Sequence, residues 1–388
     1  MCRWSLPGPR PPEHPGDLHA RNPTHRFPAS WITKASFLCG GLPRGGTLKT
    51  SKSRIVRIGL RGAAFAALAI LMGVVYERVG QYRAARNFPA PGRMIDIGGR
   101  KIQLDCRGSG SPTVVFEAGL SVDGSLSWAP VQARVAAHTR ACAYSRAGLM
   151  WSDPSDEPPS ARRAVQDLRA ALARAGEQGP FVLVGQSLGG LYAMCFTRYF
   201  GDEVAGLVLV DPSHPEQVER VAGWMTESRS LRSRIGVALA WSGLLRAAAP
   251  MLLPQEAHQS ARDAQAIRAY APKSLRTQLA ESDSTDSTLA EARGFRALGR
   301  RPLVVLTAMA PYSAAELRGM KITPEQGRQV QAVWRQMHEE AAGWSSRGRH
   351  EVLPNAGHNI QFDDPDAVVD AVISVVDAVR ADRRFESP

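Results

Sequence analysis

The chain has 388 residues, of which 44% are hydrophobic and 22% are charged. This composition is typical of a globular protein and excludes a collagen-like, coiled-coil or largely disordered chain. The net charge of +12 does not indicate a nucleic-acid partner, because the whole basic surplus lies in residues 1–93 and the rest of the chain is neutral. Five scattered cysteines without a CxxC pair predict neither a disulfide scaffold nor a metal site.

The first part of the chain divides into a polar segment and an apolar one. Residues 1–54 are rich in Pro, Gly, Arg and Ser and lack apolar periodicity, which predicts a disordered basic leader. The alternative is that translation starts downstream, near Lys49. Residues 58–76 are a stretch of 19 residues interrupted only by Arg61, close to the length that a membrane-spanning helix needs.

The flanks of this apolar stretch predict how it is used. The sequence after Val74 is a poor cleavage site, so we expect an uncleaved transmembrane signal anchor rather than a cleaved signal peptide or a buried helix. The heavier positive flank precedes the stretch, although arginines follow it as well. This bias predicts that the rest of the chain lies outside the cytoplasm, in the periplasm or at the cell surface.

The prolines near its end predict a linker over residues 77–92. Residues 93–385 then have the pattern of one large globular domain. Short β-branched runs alternate with helical stretches, which predicts an α/β fold with a mostly parallel sheet and helices on both faces. Residues 212–300 lack strand patterns and predict an inserted helical cap. A second membrane helix over residues 235–253 is the alternative, but Arg246 and Pro250 interrupt it.

Residues 185–190, Gly-Gln-Ser-Leu-Gly-Gly, contain the pattern G-x-S-x-G. The pattern follows an apolar strand and opens a helix, which is the context of a nucleophile elbow with Ser187 at the bend. A serine nucleophile needs a base. Of nine histidines, His358 is the best placed, because it lies in the loop after the last predicted strand; His214 is the nearest rival.

With these features the chain resembles the α/β-hydrolase superfamily over residues 90–385, and within it a bacterial subgroup with an N-terminal membrane anchor. The resemblance is carried by residues 116–120 (Phe-Glu-Ala-Gly-Leu), 144–148 (Tyr-Ser-Arg-Ala-Gly), 185–190, 209–214 (Leu-Val-Asp-Pro-Ser-His) and 357–358 (Gly-His). It implies an α/β-hydrolase fold with eight strands, the second next to the fourth, and a lid after the sixth. The family usually has Gly where this chain has Met150.

The resemblance also implies further site residues. Some members take the third catalytic residue, an acid, from the end of the sixth strand, which makes Asp211 our first prediction and Glu316 the alternative. The backbone N–H groups of Leu120 and Leu188 would form an oxyanion hole. The strands that contain Cys106 and Cys142 would be neighbours, which allows a disulfide in an oxidising compartment; two buried thiols are the alternative.

We therefore expect a membrane-anchored serine hydrolase that cleaves an ester or amide through an acyl-enzyme intermediate. Ser187 would be the nucleophile, His358 the general acid and base, and Asp211 the residue that orients the imidazole. No metal or organic cofactor is implied. The apolar cap, with Trp224 and Trp241, suggests a small-molecule substrate with a hydrophobic acyl or aromatic group. The rival hypothesis is a catalytically silent binding protein, favoured by the missing Asp after residue 306.

Overall fold

An eight-stranded sheet organises the domain. The structure is a computed structural model, and it describes residues 49–221 and 231–386. The strands are β1 (Arg93–Asp96), β2 (Lys101–Arg107), β3 (Thr113–Glu117), β4 (Ala141–Tyr144), β5 (Phe181–Gln186), β6 (Val204–Val210), β7 (Leu303–Ala308) and β8 (Gly348–Leu353). They lie in the order β1-β2-β4-β3-β5-β6-β7-β8. The pairs β1–β2 and β2–β4 are antiparallel and the others are parallel.

Helices cover both faces of this sheet and account for its apolar strands. The helices are α1 (Lys49–Asn87), α2 (Ala129–Ala136), α3 (Ala161–Ala175), α4 (Leu188–Tyr199), α5 (Gln217–Val221), α6 (Leu231–Ala238), α7 (Leu244–Leu252), α8 (Ala261–Asp283), α9 (Thr285–Arg293), α10 (Ala314–Met320), α11 (Pro324–Ala342), α12 (Ile360–Asp363) and α13 (Pro365–Glu386). One core layer lies under α3, α4 and α9, and the other under α2 and α13. Every residue of β3 and β5 is consequently buried. The predicted α/β-hydrolase fold is confirmed, including the place of the second strand beside the fourth.

The cap lies between β6 and β7 and consists of α5–α9, with a 3₁₀ helix at Ala240–Ser242. Helix α8 joins it to the sheet, since Ser274 in α8 accepts a hydrogen bond from the backbone N–H of Met150 (2.9 Å). Met150 has a φ of 43°, a conformation that favours glycine. The alternative of a second membrane helix over residues 235–253 is not supported, because Gly243 adopts a left-handed conformation and breaks the segment into α6, the 3₁₀ helix and α7.

Helix α1 is longer than predicted. Residues 1–48 of the predicted disordered leader lie outside the described residues. Its last part, residues 49–54, belongs to α1. Within the predicted linker over residues 77–92, the helix continues to Asn87 and ends just before Pro89. In the part of the chain that the structure describes, residues 54–87 are the one helix long and apolar enough to cross a membrane.

Cys106 and Cys142 form a disulfide between neighbouring strands. They stand directly opposite each other on the antiparallel pair β2–β4, with Cα atoms 4.0 Å apart. The carboxylate of Glu177 lies within 4.8 Å of both sulfur atoms. A metal site would need thiolates, however, and Glu177 is paired with Arg140. The thiol of Cys195 is free and is buried on α4.

We predict that reduction of this disulfide destabilises the protein. The bond links residues 36 positions apart, for which the loop-closure relation gives about 4 kcal/mol in the free energy of unfolding. A reducing agent should therefore lower the Tm of the detergent-solubilised full chain. The double variant Cys106→Ser, Cys142→Ser should have a low Tm that no longer responds to the reducing agent, whereas Cys195→Ala should respond as the native chain does. Free alkylation of Cys106 and Cys142 in a sample from an oxidising compartment would contradict the prediction.

Candidate active site

Ser187 occupies a sharp bend between β5 and α4. Its backbone has φ 51° and ψ −123°, outside the region that non-glycine residues normally adopt. Three hydrogen bonds hold the bend: Ser187 N–H donates to the carbonyl of Val210 (3.1 Å), and the Ser187 carbonyl accepts from Gly190 and Ser213 (2.9 Å each). The side chain is thereby presented at the carboxyl edge of the parallel strands, where it lines an open cavity.

The glycines of the motif are required by close backbone packing. A Cβ atom at Gly185 would lie 2.4 Å from the carbonyl oxygen of Gly189, and one at Gly189 would lie 2.4 Å from that of Glu117. Either substitution would push α4 away from β3 or β5. The G-x-S-x-G pattern is thus explained by the geometry of the bend, as the sequence analysis predicts.

Asp211 and His358 form a hydrogen-bonded pair across two strand ends. The Nδ1 of His358 lies 2.6 Å from Oδ2 of Asp211. The other carboxylate oxygen of Asp211 accepts a hydrogen bond from the backbone N–H of Ala308 (2.9 Å). A carboxylate accepts, so Nδ1 of His358 carries a proton and Nε2 is the ring nitrogen left for proton transfer.

The charge of Asp211 alters the titration of this imidazole. Burial lowers the pKa of His358, but the hydrogen bond to Asp211 and its negative charge outweigh that effect. The pKa of His358 is therefore raised above its ordinary value of 6.5. An imidazole with such a pKa can exchange protons near neutral pH.

Glu316, the alternative acid, has a different local role. Its carboxylate accepts a hydrogen bond from the backbone N–H of Ser313 (2.7 Å), and the hydroxyl of Ser313 accepts one from the backbone N–H of Glu316 (3.2 Å). These two bonds form a capping box at the start of α10. Glu316 lines the same cavity as Ser187, but the structure pairs His358 with Asp211 instead.

A second histidine, which the sequence analysis did not single out, supports the Asp211 turn. His338 in α11 has Nδ1 3.8 Å from Oδ1 of Asp211. Its Nε2 lies 2.8 Å from the carbonyl oxygen of Pro212 and must donate, so Nδ1 accepts from the hydroxyl of Thr307 (2.8 Å). Burial lowers the pKa of His338, although Asp211 acts in the opposite direction. A neutral His338 thus fixes the backbone that follows Asp211.

The loop after β3 approaches Ser187 closely. A Cβ atom at Gly119 would lie 3.1 Å from Cβ of Ser187, which places the next residue, Leu120, beside the nucleophile. Leu188 is the first residue of α4, where backbone N–H groups have no partner inside the helix. Of the two backbone positions predicted to form an oxyanion hole, one therefore follows the glycine that packs against Ser187 and the other follows Ser187 itself.

Arg146 holds that loop and connects it to the cap. It is 4% exposed and donates to the carbonyl oxygens of Ala118 (2.5 Å) and Gly119 (2.8 Å). Two further bonds, of 2.7 and 2.9 Å, go to the carboxylate of Glu281 in α8. Its remaining ion pair is with Glu117 at the end of β3 (2.6 Å). In the sequence, only the Arg within the family-like residues 144–148 points to this residue, and nothing indicates its contacts.

The cavity at the site has a volume of about 370 Å³. It brings together Ser187, Asp211 and His358 with side chains from α10 and α11. Among them are Met320 and Trp334, and Tyr312 from the loop before α10 also lines the cavity. His214, the rival base, is not part of it: this side chain is 1% exposed, and its Nδ1 accepts a hydrogen bond from the backbone of Glu216.

Known proteins share this architecture. A thermophilic esterase from Thermogutta terrifontis is 20% identical, covers 72% of this chain and 94% of its own, and superposes with a TM-score of 0.50. A putative epoxide hydrolase from Pseudomonas aeruginosa is 17% identical, covers 76% of this chain and 98% of its own, and has a TM-score of 0.53. At these identities the likeness shows the fold alone.

Sequence comparison gives the family. An uncharacterised vacuolar membrane protein of Saccharomyces cerevisiae is 35% identical over 108 residues, which are 27% of this chain and 17% of that protein. The chain spans about half or less of the length of the curated relatives it matches. The family model described as "Alpha/beta hydrolase family" matches residues 114–371, and this range includes the elbow, Asp211 and His358. The chain therefore belongs to the alpha/beta hydrolase family of enzymes.

Proposed function

We propose that the protein is a membrane-anchored serine hydrolase that cleaves an ester or amide through an acyl-enzyme intermediate. The observation that carries this proposal is the pair of Asp211 and His358, hydrogen-bonded at 2.6 Å, in one cavity with a serine at a strained elbow. A buried serine of the core has neither a neighbouring imidazole nor a positive φ. This combination is the arrangement that activates a hydroxyl as a nucleophile.

The reaction proceeds in two half-reactions. In the first, Oγ of Ser187 attacks the carbonyl carbon while its proton passes to Nε2 of His358. The protonated imidazole then gives this proton to the leaving alcohol or amine, and the acyl group remains on Ser187. In the second, His358 takes a proton from water, the resulting hydroxide attacks the acyl carbon, and the carboxylic acid leaves as Ser187 recovers its proton.

Asp211 and the two backbone N–H groups stabilise the charges that develop. The imidazolium formed on His358 lies against the carboxylate of Asp211, which also keeps the ring in the tautomer with Nε2 free. The N–H groups of Leu120 and Leu188 would face the oxyanion of the tetrahedral intermediate. Loss of one such donor typically costs about 10²–10³ in kcat.

A catalytically silent protein is the second candidate, and one contact favours it. The side-chain amide of Gln186 lies 3.4 Å from Nε2 of His358 and donates to the carbonyl of the same residue (3.1 Å). A donor at Nε2 would compete with the proton of Ser187. A fluorophosphonate probe separates the candidates, because it reacts only with an activated serine: labelling of Ser187 supports the hydrolase, and its absence supports the binding protein.

We predict that Ser187→Ala reduces hydrolysis of nitrophenyl esters to background without a change in Tm, because this small side chain faces the cavity and packs little.

Asp211→Asn should lower kcat by about 10³–10⁴-fold, because an amide does not stabilise the imidazolium and favours the wrong tautomer. Steady-state kinetics on purified variants measure both effects.

Glu316→Gln is the matched control for the acid, since it also removes one carboxylate from the same cavity. Its effect on kcat should be small, with at most about 1 kcal/mol lost in stability through the capping box. Full activity in Asp211→Asn together with a large loss in Glu316→Gln would show that the acid is assigned to the wrong residue.

The pH dependence should report on the same pair. His358 acts as a base only when neutral, so kcat/KM should rise with pH through the pKa of this residue. Because Asp211 raises that pKa above 6.5, the midpoint of the rise should lie above this value. In Asp211→Asn, the negative charge that raises the pKa of His358 is lost, whereas the burial that lowers this pKa remains. The midpoint of the residual activity should therefore move to lower pH. An unchanged midpoint would contradict the role of Asp211.

The proposed anchor and its orientation make a separate prediction. Residues 58–76 of α1 should hold the protein in the membrane fraction after a high-salt wash, since apolar burial is insensitive to screening. The vacuolar membrane protein of yeast that matches this chain lends support to a membrane location. Protease added to spheroplasts should digest the domain that follows α1. Survival of that domain in intact spheroplasts would reverse the proposed orientation.

A further inference from the structure

The apolar part of α1 is exposed on every side. Leu60, Phe65 and Val75 are 65%, 73% and 52% exposed, on different faces of the helix. A helix that is apolar all round requires protein or lipid around it. Residues 58–76 would span about 28 Å at 1.5 Å per residue, close to the ~30 Å of a hydrocarbon core.

The end of this apolar stretch packs directly against the cap. A Cβ atom at Gly73 would lie 2.3 Å from the carbonyl oxygen of Ser242, so the two backbones touch. One turn further on, Arg246 donates to both carboxylate oxygens of Glu77, each at 2.9 Å. Gly73 precedes the end of the apolar stretch by about 4.5 Å along the helix axis. If α1 crosses a bilayer, the cap reaches the hydrocarbon boundary.

The cap presents exposed apolar side chains beside this contact. We call these residues the cap patch: Ile235, Leu239, Trp241, Leu244, Met251 and Leu252. Leu244 and Met251 are 59% and 79% exposed, which is unusual for such large apolar groups. Trp241 lies next to Ser242 at the contact with α1, and membrane proteins favour tryptophan at the membrane–water interface.

Cations lie at the same level. A groove of about 710 Å³ between α1 and the cap is lined by Trp241 together with Arg78 and Arg276. The carboxylate that lines this groove, Glu77, is already paired with Arg246. The guanidinium groups of Arg78 and Arg276 are therefore placed to bind lipid phosphates, as basic residues at the edge of a membrane span commonly do.

An apolar cavity of about 480 Å³ lies inside the cap, next to the cap patch. Leu252 lines this cavity and is also 47% exposed in the cap patch. Leu120 also lines the cavity, and it follows Gly119, the glycine packed against Ser187. Leu275 and Leu279 of α8 form part of the wall between them. Such walls favour an aliphatic chain, because burial of each methylene contributes about 0.8 kcal/mol.

We propose that the cap lies in the bilayer surface and that the cavity beneath it binds the acyl chain of a membrane lipid ester. This inference rests on the proposed function for the reaction itself. The ester carbonyl is attacked by Ser187, the acyl chain stays in the cavity as the ester of Ser187, and the alcohol portion leaves with the proton from His358. The substrate thus reaches the nucleophile from the bilayer.

Fluorescence quenching tests the position of the cap. The full chain is reconstituted in nanodiscs whose lipids carry bromine on the acyl chain near the glycerol. The lipids should quench part of the tryptophan emission, and Trp241→Phe should remove much of that quenched part. Trp344→Phe is the matched control, since Trp344 packs beside His214 away from α1, and it should leave the quenched part unchanged. If the two variants changed the quenched emission equally, the proposal would be overturned. It would also be overturned if a second copy of the chain covered Trp241 and shielded it from the lipids.

Photolabelling tests the cavity without requiring catalysis. A phosphatidylcholine with a diazirine on its acyl chain should label α8 peptides that contain Leu275 and Leu279, in addition to α1. Leu279→Trp should abolish the α8 label by filling the cavity and leave the α1 label intact, whereas the volume-conserving Leu279→Met should keep both. Labels on α1 alone would overturn the proposal.

These readouts separate the two proposals. Ser187→Ala should change neither the quenching nor the labelling, because both depend on position and binding. If the fluorophosphonate probe does not label Ser187 while the lipid probe labels α8, the proposed hydrolysis is wrong and the lipid-binding site stands. If the probe reacts and α8 is not labelled, the serine hydrolase stands and its substrate comes from water.

Discussion

The backbone conformation of Ser187 is the constraint on which the site depends. A φ of 51° costs free energy for any residue with a side chain. The cost is met by the packing of β5, α4 and the turn after β6, whose backbones approach so closely that only glycine fits at positions 185 and 189. Because the Ser187 carbonyl accepts a hydrogen bond from Ser213, the bend also fixes the turn that carries Asp211. The nucleophile and the proposed acid are thus positioned by one set of contacts.

A buried ion pair between Arg146 and Glu281 joins the cap to this site. Arg146 binds two carbonyl oxygens of the loop after β3 and the carboxylate of Glu281 in α8. A buried ion pair is sensitive to loss of either partner, because the remaining charge has no water around it. Displacement of α8 would therefore disturb the loop that carries Leu120. The apolar cavity and the proposed oxyanion hole share this loop, which links what the cap binds to the geometry beside Ser187.

Local patterns in the sequence predict the sheet, the elbow and the base, because strand composition and the G-x-S-x-G spacing directly reflect the packing they need. For the acid, the sequence favours Asp211 and keeps Glu316 as the alternative, since that choice depends on which carboxylate reaches His358 across separate strands. A local signal for it existed: residues 313–316, Ser-Ala-Ala-Glu, form a capping-box pattern that commits Glu316 to its own helix. Helix α1 extends beyond the predicted apolar stretch at both ends, because hydropathy marks only that stretch, whereas Pro89 marks where the helix stops. The contacts of Arg146 and His338 are long-range and have no sequence signature.

The most direct test of the central claim is to trap the covalent intermediate. The full chain in detergent is mixed with an excess of a long-chain nitrophenyl ester, quenched with acid within the first turnover, digested and analysed by mass spectrometry. We predict an acyl group of the expected mass on the peptide that contains Ser187, formed at the rate of nitrophenol release and absent in Ser187→Ala. Nitrophenol release at the native rate without acylation of Ser187, or with the acyl group on another residue, would contradict it.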